Sequence, residues 1–233
     1  MPNVADALIY YVVFLLSTTL HEAAHAWTAH RLGDSTAYHG GQVSLNPVPH
    51  IRREPIGMVV LPLISALASG WPIGFASAPY DPRWAHAHPR RAAVMSLAGP
   101  TANLLLVLAS AVLLRLGVAT GLLYAPDHIS FGHLAATTRS GWLEGVAFLL
   151  GVLFSMNLLL AAFNLLPLPP LDGSGAVPLL LSVEAGRKYQ AAIWRMRGVA
   201  LFGLFLAWRA FDALFNPVFL GAVSLLYPGV HYR

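Results

Sequence analysis

Two histidines and a glutamate in the first apolar stretch have the spacing of a metal-dependent hydrolytic site. His21, Glu22 and His25 form an HExxH pattern, and residues four apart lie on the same face of an α-helix. Both imidazoles can therefore bind one zinc ion, while Glu22, about 100° around the helix, can act as general base on a water molecule. Ten His and four Glu in 233 residues give roughly 0.007 chance matches to this pattern.

A catalytic zinc usually has a third protein ligand. Asp172 is the strongest candidate, because it ends the segment NLLPLPPLDG (residues 164–173), in which three prolines stop a helix and leave an unwound stretch. An ordinary Asp-Gly turn at a membrane exit is the alternative for Asp172. A packed pair of histidines is the alternative for His21 and His25. The weaker candidates for the third ligand are His30, His39, His50 and Glu54.

The elements that must position these residues are membrane helices. Apolar residues make up 57% of the chain and charged residues 10%, against about 25% charged in an ordinary soluble domain. This composition excludes a disordered chain, and the lack of cysteine excludes a Cys-ligated cluster. The net charge is +4, but the basic residues do not form long runs and are not interleaved with aromatic residues. We therefore expect no nucleic-acid partner.

Four stretches predict membrane-spanning helices, at residues 7–33, 92–115, 142–166 and 198–215, the last ending at a break at Asn216-Pro217. A fifth stretch, residues 55–80, is rich in Gly and Pro in its second half, and basic residues flank it on both sides. The positive-inside rule therefore predicts a re-entrant hairpin for residues 55–80. The basic residues that mark the cytoplasmic face are Arg31, Arg52, Arg53, Arg83, Arg90, Arg91, Arg187, Lys188, Arg195 and Arg197. This topology brings Asp172 to the same face as His21 and His25.

The HExxH pattern and the NLLPLPPLDG segment together resemble the site-2 protease family of intramembrane zinc metalloproteases. Residues 41–47 (GQVSLNP) resemble a strand segment of that family, and residues 98–103 (AGPTAN) resemble one of its helices, so the likeness spans roughly residues 8–180. No PDZ domain is expected, as in the compact branch of the family. The resemblance implies one zinc ion bound by His21, His25 and Asp172, with Glu22 as catalytic base and Asn164 positioning the substrate carbonyl. The substrate-binding residues expected are Gln42, Val43, Ser44 and Asn103.

A helix must unwind locally before a peptide bond inside it can be cleaved. A substrate could become extended by adding as a strand to an exposed edge. Residues 40–46 alternate apolar and polar side chains, which predicts such a strand. Residues 73–76 are a second possible strand, for which a plain buried hairpin is an equal alternative.

The sequence therefore predicts an all-α polytopic membrane protein with about four transmembrane helices, a re-entrant hairpin and a short β element near the active site. Residues 1–233 would form a single membrane-embedded protease domain, with a core at 5–180 and a cytoplasmic connector and C-terminal helix at 181–233. The expected substrates are single-pass membrane proteins or signal peptides, cut in a prokaryotic cell membrane with the active site towards the cytoplasm. A zinc transporter or channel using the same His/Asp cluster is the alternative, although transit needs no general base.

Overall fold

The computed structural model of the chain describes residues 3–139, 141–195, 200–230 and 232. Arg197, one of the residues used to place the cytoplasmic face, lies outside this part. The elements are α1 (Val4–Leu32), α2 (Thr36–His39), α3 (Pro47–Arg53), a π-helix (Ile56–Val60), α4 (Leu61–Ser69), α5 (Pro82–Ala87), α6 (Pro89–Ala119), α7 (Trp142–Asn164), α8 (Asp172–Ala176), a 3-10 turn (Val177–Leu180), α9 (Val183–Arg195) and α10 (Ala200–Leu226).

Three of these helices, α1, α6 and α7, are long and apolar enough to cross a membrane. They confirm the helices predicted at 7–33, 92–115 and 142–166. The first ends as its sequence predicts, because Gly33 caps α1 with a φ of 106°, a conformation that glycine adopts at little cost. On α1, Leu8, Val12 and Leu16 lie one turn apart and are exposed, as expected of a face that contacts lipid.

The break expected at Asn216-Pro217 is wrong, because α10 continues through Pro217 to Leu226. A proline in a helix removes one backbone hydrogen bond, and membrane helices tolerate that loss where neighbouring helices pack against them. Phe211 and Phe215 before the proline and Val223 after it are buried in one apolar cluster with side chains of α6 and α7. This packing holds the helix together on both sides of Pro217.

The predicted β element is also wrong: no residue of the described ranges belongs to a strand, and one isolated bridge pairs Tyr124 with Ala136. Residues 40–46 form turns instead. Gly41 has a φ of 74°, and the side chain of Asn46 accepts a hydrogen bond from Val48 N at the start of α3. Local turn and capping chemistry therefore overrides the alternating pattern.

Residues 56–81, which we call the hairpin, turn back on themselves. A helical arm (56–69) ends at Gly70, whose φ is 77°, and an extended arm (71–81) follows. The two arms lie together, because Phe75 N donates to Gly57 O over 3.0 Å and Ile73 N donates to Ser65 Oγ over 2.7 Å. The predicted segment 73–76 is thus not helical and does not pair as a strand.

Candidate metal centre

The first part of the site is one face of α1. Ser17, His21 and His25 are spaced by four residues, which aligns their side chains along the helix, and all three are buried. The Nε2 atoms of the two imidazoles are 3.0 Å apart. Since there is no room for a hydrogen on both nitrogens at this distance, at least one Nε2 presents a lone pair.

Asp172, far from α1 along the chain, completes the site. Its Oδ2 atom lies 3.0 Å from Nε2 of His21 and 3.3 Å from Nε2 of His25. As predicted, the helix stops before the three prolines: α7 ends at Asn164, shortly before the expected end at 166, and the segment 165–171 is not helical. The short helix α8 that begins at Asp172 can pack closely because Gly173 and Gly175 carry no side chain, where a Cβ would overlap the Leu165 carbonyl and Ser96 Oγ.

Hydrogen bonds from α6 orient both imidazoles. Nδ1 of His25 lies 2.7 Å from the Met95 carbonyl oxygen, and Nδ1 of His21 lies 2.5 Å from Oδ1 of Asn103. Both oxygens can only accept, so each Nδ1 carries the hydrogen, and in a neutral imidazole Nε2 then has a free lone pair. Metal-ligating histidines are commonly held in this way.

The residues fit a zinc ion. Three lone-pair atoms face one another at 3.0 to 3.3 Å, and Asp172 Oδ2 is buried without a hydrogen-bond donor. A cation relieves this repulsion, and two ligands of a tetrahedral zinc lie about 3.4 Å apart. Two histidines and a carboxylate leave the fourth position open, as in catalytic zinc sites. Within the described part of the chain, this is the one group of three such ligands close enough to hold a metal.

Gly99 shapes the space in front of these ligands. A Cβ on Gly99 would overlap Nε2 of both His21 and His25. Gly99 received no role of its own from the sequence, and its position one turn before Asn103 in the AGPTAN segment is the signal that could have placed it at the site.

Glu22 lies within α1, and Asn164 lies at the end of α7. Glu22 is buried with 6% of its surface exposed, between the two histidines in the chain. Asn164 is the last residue of α7 and half-buried, and its Nδ2 donates to the carbonyl of Leu160. Thr18, one turn before Glu22, has a buried hydroxyl without a hydrogen-bond partner.

The residues predicted to bind substrate occupy two different places. Gln42 is buried, and its Nε2 donates to the carbonyl of Ser77 in the extended arm over 3.2 Å. Val43 and Ser44 are half-buried beside it in the chain. Asn103 is fully buried and hydrogen-bonded to Nδ1 of His21, so its side chain contacts the imidazole on the side away from Asp172 and His25.

The weaker ligand candidates have other partners. His30 Nδ1 lies 3.0 Å from Ser35 Oγ, and its ring stacks on Tyr38. His50 contacts the Ser44 carbonyl through Nε2, and Glu54 accepts a hydrogen bond from Ser77 Oγ. His39 is exposed. None of them joins the group formed by His21, His25 and Asp172.

Comparison with known proteins agrees with this chemistry. Residues 9–205 match peptidase family M50, and no PDZ domain is matched. A Bacillus subtilis (strain 168) protein named "Putative zinc metalloprotease YwhC" is 30% identical over 242 residues, which cover 91% of this chain and 99% of that protein. No solved structure matches the chain.

Two mycobacterial proteins named "Putative zinc metalloprotease Rip2" are also similar. The one from Mycolicibacterium smegmatis is 39% identical over 176 residues, covering 75% of this chain and 58% of that protein. The one from Mycobacterium tuberculosis (strain H37Rv) is 34% identical over 223 residues, covering 94% and 74%. With a His/His/Asp group that fits zinc and three helices long enough to cross a membrane, the chain belongs to peptidase family M50, the site-2 protease family, and is a membrane zinc metalloprotease.

Proposed function

We propose that the protein is an intramembrane endopeptidase that hydrolyses peptide bonds in or near transmembrane segments of other membrane proteins. The observation that carries this proposal is the convergence of three lone pairs from His21, His25 and Asp172, with Glu22 buried on the same helix. We assign the three residues as ligands of one zinc ion, and residues 1–233 as a single protease domain.

When bound, zinc supplies Lewis acidity, which makes a water molecule more acidic and polarises a carbonyl group. Glu22 accepts one proton as the water oxygen bonds to the scissile carbonyl carbon. It then gives that proton to the amide nitrogen as the C–N bond breaks, so that a carboxylate and an amine leave the site. Asn164, at the end of α7 and eight residues before Asp172 in the chain, donates an amide hydrogen to the carbonyl oxygen of the substrate.

The substrate reaches this site in an extended conformation. The extended arm of the hairpin contains no strand pairing among the described residues, and we assign it as the edge to which the substrate adds as an extended chain. Gln42 supports this arm by donating a hydrogen bond to Ser77 O. We therefore assign Gln42 to substrate binding through its effect on the shape of the arm, and Val43 and Ser44 with it as its neighbours in the chain. Asn103 acts indirectly, by orienting the imidazole of His21 through their hydrogen bond.

The active site faces the cytoplasmic side in this proposal. The C-terminal end of α1 lies beside the N-terminal end of α6, because Arg91 donates to the Leu32 carbonyl. Arg90 likewise donates to the Leu181 carbonyl, so three basic segments share this end of the molecule. A basic excess of this kind is typical of cytoplasmic loops, and the hairpin between Arg53 and Arg83 then enters and leaves the membrane on that side.

The experiment is a trap followed by a cleavage assay. The Glu22→Gln variant, purified from its native membrane, should retain zinc and hold a single-pass membrane protein or a signal peptide. The wild-type protein with zinc should cut that trapped protein in detergent micelles. Loss of Glu22 should slow the cut by roughly 10²–10⁴-fold, the usual range for a general base.

A matched control is Glu144→Gln at the exposed start of α7, which should cleave like the wild type. If Glu22→Gln cleaves at the wild-type rate, the mechanism is wrong. Zinc flux into proteoliposomes without hydrolysis of any trapped protein would instead identify a transporter.

A further inference from the structure

Two buried asparagine side chains connect the metal centre to α7, a helix that carries none of the proposed ligands. Nδ2 of Asn103 donates to Oδ1 of Asn157 over 2.8 Å. Nδ2 of Asn157 donates in turn to the Leu153 carbonyl over 2.8 Å and to Ser17 Oγ over 3.0 Å. Asn103, Asn157 and Ser17 are fully buried, so no bulk water competes for these groups.

The direction of every hydrogen bond in this chain follows from one backbone carbonyl. The Leu153 oxygen can only accept, so the NH₂ group of Asn157 must face it and the Asn157 oxygen must face Asn103. That oxygen also only accepts, which turns the NH₂ group of Asn103 towards it and the Asn103 oxygen towards His21. Nδ1 of His21 then carries the hydrogen.

We propose that Asn157 is a positioning residue for zinc, which holds the amide of Asn103 in the orientation that leaves Nε2 of His21 with a lone pair. His25 needs no such relay, because the Met95 carbonyl faces its Nδ1 directly. A flipped Asn103 would present NH₂ to Nδ1 of His21 and favour the tautomer with hydrogen on Nε2, which cannot bind metal. This inference rests on the zinc site of the proposed function and adds a residue outside the NLLPLPPLDG and HExxH segments.

The sequence contains a signal for this role. Asn157 is a polar residue in the uncharged run 145–171, and polar groups inside membrane helices are costly unless they have partners. It also lies four residues after Leu153, whose carbonyl it binds, and seven before Asn164, which places both asparagines on one face of α7.

The test measures zinc affinity of the purified protein by competition with a chelator. Asn157→Ala removes the acceptor for Asn103 and should weaken zinc binding about 10- to 100-fold, the usual cost of losing a group that orients a ligand. Asn157→Asp should bind zinc like the wild type, because a carboxyl buried at this site stays protonated and can donate to Leu153 O while accepting from Asn103.

A control separates orientation from a general packing defect. Ser155→Ala changes another fully buried polar side chain of α7, whose hydroxyl has no hydrogen-bond partner, and should leave zinc affinity unchanged. Unfolding midpoints of the metal-free variants report any loss of folding. Wild-type affinity in a folded Asn157→Ala protein, or equal losses in the Ala and Asp variants, would overturn the proposal.

A double variant keeps the test decisive if Asn157→Ala folds poorly. In Asn103→Asp the carboxyl group contacts the N–H of His21, an arrangement that favours the charged carboxylate, whereas the carboxyl of Asn157→Asp contacts neutral groups only. Both oxygens at position 103 then accept, so His21 Nδ1 meets an acceptor whichever way the group turns. The double variant Asn103→Asp/Asn157→Ala should therefore bind zinc more tightly than Asn157→Ala alone, whereas a purely structural role for Asn157 predicts that it binds no better. Because the readout is metal affinity, a protein that shows this ranking and cuts no substrate would contradict the proposed function and leave this inference standing.

Discussion

Gly99 of α6 lies so close to His21 that a Cβ at position 99 would overlap Nε2 of the imidazole. The same Cβ would overlap Nε2 of His25. Helix α6 therefore contributes three things to the centre: two acceptors, from Met95 and Asn103, and an empty volume in front of the lone pairs. A helix that carries none of the proposed ligands thus determines whether those on α1 and α8 can bind a metal.

Gly99→Ala should abolish tight zinc binding. The added methyl group overlaps both Nε2 atoms, so we expect a loss of zinc affinity on the order of 100-fold, as large as the greatest losses seen when residues around metal ligands are changed. Metal analysis and chelator competition on the purified variant measure it. Gly145→Ala is the matched control, since a Cβ at this exposed position of α7 meets nothing within 4 Å. Equal zinc affinity in the two variants would contradict this account.

The hairpin is tied to α1 through Asp34. This buried carboxylate accepts hydrogen bonds from Thr36 N and Thr36 Oγ1 through Oδ1, and from Asp81 N through Oδ2 over 2.8 Å. Asp34→Ala leaves three donors without an acceptor, and we expect the free energy of unfolding to fall by about 2–4 kcal/mol. Hydrogen exchange should increase at residues 71–81, while zinc affinity stays near that of the wild type.

Asp81→Ala is the comparison for Asp34→Ala. The Asp81 side chain caps α5 by accepting from Arg83 N at an exposed position, so its loss should cost about 1 kcal/mol. If Asp34→Ala is no less stable than Asp81→Ala, the carboxylate of Asp34 is not the main link between the hairpin and α1.

Gln42→Ala should impair substrate binding more than chemistry. The side chain holds the Ser77 carbonyl of the extended arm and does not contact the ligand group. We therefore expect KM for a trapped substrate to rise with little change in kcat, because the arm loses its support while Glu22 and the ligands keep their geometry. Gln190→Ala makes the same change at a buried site of α9 and should leave KM unchanged. A fall in kcat at constant KM would instead assign Gln42 to the catalytic step.

Removal of the metal with a chelator should abolish cleavage and leave the helices assembled. The three apolar clusters that join the helices contain none of the proposed ligands, so far-ultraviolet circular dichroism should change little. Zinc at 100 times its Kd should stabilise the folded protein by about 2.7 kcal/mol through mass action. Loss of helical signal on chelation would show that the metal is needed for the fold itself.

Much of the fold could be predicted because it depends on local patterns. Long uncharged runs predicted α1, α6 and α7, and Gly33 and the prolines after Asn164 predicted where two of these helices end. The strand expected at 40–46 failed for a local reason as well, since Gly41 and Asn46 form a turn and a cap. The continuation of α10 through Pro217 could not be predicted, because packing against α6 and α7 outweighs one lost hydrogen bond.

By itself the sequence determined which atoms could bind zinc, because the HExxH spacing puts two imidazoles on one helical face and the proline segment leaves Asp172 outside a helix. Only the tertiary structure decided which other residues serve them. Gly99, Met95 and Asn157 act through distance and hydrogen-bond direction between helices far apart in the chain. Those quantities depend on how α1, α6 and α7 pack together, and no spacing within a single helix contains them.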